Sequence, residues 1–187
     1  MGISLLAATA WRMEHRGTNW NLLLTATAKP FRLAAAKVGA VFIPVTLMQA
    51  VLVTGTAFSG IFVLHLEGPF PWGFAVVGFI ALVAALPLIT VQSLLSMLLK
   101  SFAAPVALCL LGCVAGVAAV TSTTLKPIGY ILPQAINTRA LNLGSIAIAE
   151  SGGLTIGDAA SLLITSLALT AALAWITVPL IQAVRLR

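Results

Sequence analysis

Trp72-Gly-Phe-Ala-Val-Val-Gly-Phe-Ile-Ala-Leu-Val-Ala-Ala-Leu-Pro-Leu-Ile-Thr-Val-Gln-Ser-Leu-Leu-Ser-Met-Leu-Leu99 contains no charged residue, and its most polar member is Gln92. As a helix rising 1.5 Å per residue it would be roughly 40 Å long, more than the ~30 Å hydrocarbon core of a bilayer. Three further stretches read the same way: Val38–Leu64, Phe102–Val120 and Ala160–Val184. Each is bounded by charge or by Pro and Gly, and no long polar stretch separates them. The expected fold is an all-α integral membrane protein with four full transmembrane helices, forming a single domain over residues 1–187.

Composition agrees. Of 187 residues, 60% are hydrophobic and 7% charged, and the mean hydropathy is +1.12. One soluble core cannot hide that much apolar surface, so lipid has to solvate the surplus. The formal charge of +6 is not gathered into a patch or stripe, which argues against nucleic acid as a partner. The basic residues sit at the ends of the apolar runs instead. Four crossings place Arg12, Arg16, Lys29, Arg32, Lys37, Lys100, Arg185 and Arg187 on one side, eight of the ten Lys and Arg. Lys126 and Arg139 fall on the other, with Glu67, Glu150 and Asp158. The positive-inside rule then makes the basic side, and the C terminus with it, cytoplasmic.

Met1 to Trp11 is apolar but too short to span. It lacks the basic start and small-residue cleavage site of a signal peptide. It reads as the cytoplasmic end of a helix whose beginning lies outside this chain, or alternatively as a short anchor lying in the interface.

Arg12-Met-Glu-His-Arg-Gly-Thr-Asn-Trp-Asn-Leu-Leu-Leu-Thr-Ala-Thr-Ala-Lys-Pro30 follows. Gly17 breaks the preceding helix, and Thr18 can cap a new one through its hydroxyl. Trp20, Leu23, Leu24 and Ala28 share a face at helical spacing, and Pro30 is expected to end the element. The result is a short amphipathic helix parallel to the membrane, whose apolar face needs a covering partner or surface. The longest stretch on the other side, Thr121–Gly157, is too apolar for a solvated linker and is expected to pack on the helix ends, partly helical.

Few residues suggest chemistry. No Gly-rich loop ends in Gly-Lys-Ser or Gly-Lys-Thr, and Glu14-His15 does not extend to a zinc-protease pattern. No carboxylate falls within a span, which counts against a proton-coupled transporter. Cys109 and Cys113, one helical turn apart, read as small packing residues. Gly112 and Gly116 allow close helix approach, either to a partner or by chance. Gln49 and Gln92 carry amides that are costly to leave facing lipid; they either bond neighbouring helices or line a path.

Glu14-His15-Arg16-Gly17-Thr18-Asn19-Trp20, Leu22-Leu23-Leu24, Ala28-Lys29-Pro30 and Ala36-Lys37 together resemble the cytoplasmic turn of type-2 ATP-binding cassette (ABC) exporter permeases. Val91-Gln92-Ser93-Leu94-Leu95-Ser96, Lys100-Ser101-Phe102-Ala103 and Tyr130-Ile131-Leu132-Pro133 are similar to the lantibiotic-immunity (bacteriocin self-protection) permeases of that superfamily. The resemblance runs from about Trp11 to the C terminus. It implies a multi-pass subunit of the bacterial cytoplasmic membrane, paired with a second permease copy or paralogue and with separate ATPase subunits. ATP would be bound there, and this chain would carry no cofactor and no catalytic residue. The helix at Trp20, Leu23 and Leu24, entered through Gly17, would couple to the ATPase, with Glu14 and Arg16 steadying the turn. The exported substrate would be an amphipathic peptide. The family has six membrane helices; against it, the first and most of the second are missing here. A non-transporting binding or assembly protein, or a truncated vestigial permease, is the alternative.

Overall fold

The computed structural model describes residues 1–15, 30–65, 72–125, 127–143 and 156–185. Among them the secondary structure is entirely helical. Helix α1 covers Gly2–Arg12, α2 Pro30–Phe58, α3 Trp72–Leu98, α4 Ala103–Thr121, α5 Pro133–Leu141 and α6 Ile156–Arg185. A π-helical turn, Ser59–Val63, extends α2, and a 3-10 turn, Ile128–Tyr130, precedes α5. Four helices are long and apolar enough to cross a membrane: α2 with its extension, α3, α4 and α6.

Burial ranks these four. Half of the apolar window of α3 is buried, against 6% of that of α2 and 11% of that of α6. Helix α3 is therefore the centre, and the others pack around it. Ile43, Leu47, Met48, Val51 and Leu52 along α2, and Ile164, Leu167 and Trp175 along α6, stay exposed. An apolar belt of that extent is stable only in lipid or against another membrane protein.

Three clusters hold the bundle. At the basic end, Trp11, Leu33, Met97 and Ile181 draw together α1, α2, α3 and α6. Farther along, Ala7, Val41, Ala85 and Ile89 pack α1 between α2 and α3. Toward the opposite end, Ile80, Ala81 and Ala84 of α3 meet Ile136 and Ala140 of α5 and Leu162 of α6. The recurrent alanines are what let these helices approach closely.

Helix boundaries differ from the sequence reading, most of all at the start of α2. Helix α2 begins at Pro30, not at Val38, and runs through Arg32 and Lys37. Charge marks where a helix leaves the hydrocarbon, whereas the hydrogen-bonded backbone continues past it. Pro30 is the first residue of α2, a position where its missing N–H costs nothing; the element it was expected to end lies outside the described residues. Pro44, Pro87 and Pro179 lie inside continuous helices, and Pro105 lies in the first turn of α4.

Candidate functional site

Helix α1 ends in a turn, Met13–His15, folded onto the basic ends of α2 and α3. Trp11 is 1% exposed and donates from its indole N–H to Ser93 Oγ at 2.8 Å. His15 donates from Nε2 to the carbonyl oxygen of Ser96 at 2.8 Å. Both acceptors are on α3, three residues apart, so one helix face receives two consecutive anchors.

Glu14 is buried. It pairs with Lys37 of α2. The Lys37 ammonium also donates to the carbonyl oxygen of Ala10 at 2.6 Å and lies 5.2 Å from the centre of the Trp11 ring. It thus meets an unsatisfied carbonyl at the end of α1, a carboxylate and an aromatic face together. A buried carboxylate is tolerable only with such a partner.

Of the six residues singled out for coupling, Glu14 is in place on this turn. Arg16, Gly17, Trp20, Leu23 and Leu24 lie outside the described residues, as does the whole expected amphipathic helix.

The packing residues have distinct surroundings. Gly78 of α3 accommodates Gln49 and Val53 of α2: a Cβ there would come within 3.2 Å of the Gln49 amide nitrogen and 2.8 Å of a Val53 methyl. Gln92 is fully buried in α3, and its amide has no hydrogen-bond partner among the described residues. Gly112 and Gly116 of α4 form a groove filled by α5 of the same chain. A Cβ on Gly112 would sit 2.6 Å from Gln134 Cδ, and one on Gly116 3.0 Å from the backbone nitrogen of Ala135. Gly112 lies midway along α4, about 14 Å from either end. The chain leaving α4 at Thr121 therefore turns back into the bundle: the α5 backbone reaches Gly116, about 8 Å from that end, and the Gln134 side chain reaches on to Gly112.

Cys109 is buried and Cys113 half-buried, both as free thiols. Among the described residues no three His, Cys, Asp or Glu side chains gather where a metal ion could bind. Sequence reasoning missed Lys37, Ser93, Ser96 and Gln134. No family model, curated protein or solved structure matches this chain.

Proposed function

We propose that this chain is a membrane-spanning permease subunit of an ATP-binding cassette exporter, working with a separate ATPase and moving an amphipathic peptide outward. Its basic end, with the C terminus, faces the cytoplasm. A second copy or paralogue covers part of the exposed apolar belt.

What supports this reading is the anchoring of the Met13–His15 turn. Glu14 to Lys37 and His15 to Ser96 tie it to α2 and α3 simultaneously. A force applied to the segment that follows would reach two spanning helices through buried polar contacts. Such stiffness is what a coupling element needs and what a passive membrane anchor does not.

Co-purification of the tagged chain with the P-loop ATPase encoded beside it tests the assignment. Capture by the wild type, lost in Trp20→Asp and Leu23→Asp, is the expected outcome. Equal failure of all three would leave a non-transporting binding protein or a vestigial permease as the better account.

A further inference from the structure

Between the basic ends of α1, α3 and α4 lies a cavity of about 230 Å³ whose polar lining is cationic or hydrogen-bond donating. Arg12 comes from the end of α1, Lys100 and Ser101 from the turn joining α3 to α4, and His15 and Ser96 from the walls. Among the described residues no Asp or Glu lines it, and Glu14 is engaged by Lys37. We propose that this cavity binds the phosphate of an anionic phospholipid headgroup, from the leaflet at the basic end of the bundle. The proposal is independent of any ATPase partner.

Three observations converge on it. First, Ser96 is 2% exposed and its hydroxyl has no hydrogen-bond partner among the described residues. Thr46, Thr90, Ser166, Thr170 and Thr177, on the same long helices, all return their hydroxyls to the carbonyl four residues back. Ser96 does not, so a donor stands unspent beside the cavity. Second, α4 begins here without a side-chain cap. Phe102, which precedes its first residue, and Pro105, in its first turn, border the cavity, and the uncapped N–H groups of Ala103 and Ala104 and the positive dipole end favour an anion. Third, the Arg12 guanidinium lies 5.5 Å from the centre of the Phe102 ring, which holds a planar, bidentate phosphate donor at the rim.

Size and surroundings select the source. At ~30 Å³ per water, the cavity holds about seven waters, or a phosphodiester with its adjoining glycerol. Ala8 and Leu99 make its remaining wall apolar, a path for acyl chains into the bilayer. A basic pocket between helix ends at the membrane surface suits a lipid phosphate.

The test is native mass spectrometry of the full-length chain in detergent, titrated with phosphatidylglycerol, phosphatidylcholine or inorganic phosphate. The wild type should retain phosphatidylglycerol over phosphatidylcholine. Arg12→Gln with Lys100→Gln should weaken phosphatidylglycerol about thirtyfold, from the usual contribution of a basic residue at an anionic surface. Ser96→Ala should weaken it about tenfold, as a charge-assisted bond is lost. Its melting temperature should stay unchanged, because the hydroxyl bonds no protein group among the described residues. Arg139→Gln, at the opposite end, should bind as the wild type does. Equal retention of both lipids, or equal binding by all variants, overturns the proposal. Inorganic phosphate that binds through the same residues and displaces phosphatidylglycerol would make the ligand a soluble phosphate and overturn the lipid assignment.

Discussion

Gly112 and Gly116 are alike in sequence and differ in what they touch. Gly112 faces the side chain of Gln134, whereas Gly116 faces the backbone at Gln134 and Ala135. An added methyl should therefore have separable consequences. Gly112→Ala is expected to cost about 1–3 kcal/mol by overpacking, most of it recovered in the double variant with Gln134→Ala. Gly116→Ala should cost a similar amount and not be recovered, because removing the Gln134 side chain leaves the obstructing backbone in place. Thermal unfolding of the four proteins in one detergent checks both statements. A glycine pair four apart could be read from the sequence as a helix contact. Its partner could not: Gln134 lies in a stretch of mixed polarity, and pairing across the Thr121 turn leaves no periodic trace.

At the scale of elements, the four spans were legible because lipid imposes a strong compositional demand on some twenty consecutive residues. Their ends were less so. Hydropathy stops at Lys37, but the helix does not; it carries Lys37 inward to a buried partner twenty-three residues earlier in the chain. No local pattern announces a pair so far apart, and so the burial of Glu14 was not foreseen. The pair joins α1 to α2, and removing one member should be worse than removing both. Lys37→Met is expected to destabilise by about 3–5 kcal/mol, since it leaves a buried charge without compensation. The double variant with Glu14→Gln should regain much of that. Should Lys37→Met melt like the wild type, the carboxylate must reach water and the tie between α1 and α2 is not structural.

For the whole molecule, sidedness rests on the distribution of ten basic residues, and the described ones divide between the two ends as the sequence reading expects. Arg12, Lys37 and Lys100 gather at the end where α1, α3 and α4 meet, while Arg139 is at the other, 4.0 Å from the Tyr130 ring centre and bonded to its hydroxyl. In intact cells, with Cys109 and Cys113 replaced by alanine, a cysteine at Ser101 should resist a membrane-impermeant maleimide. One at Ser122 should react. The reverse pattern would invert the topology and remove the cytoplasmic assignment of the Met13–His15 turn.

The docking of α5 has a consequence for synthesis. Its seat is built from α3 and α4, made before it, and from Leu162 of α6, made after it. As the ribosome releases α5, a wall of that seat does not yet exist. The segment can settle between the glycines against α3 and α4, but its core face stays open until Leu162 arrives with α6. Completion of this half of the bundle thus waits on α6. A chain stalled before Leu162 would expose Ile136 and Ala140 to whatever proteases patrol that face of the membrane.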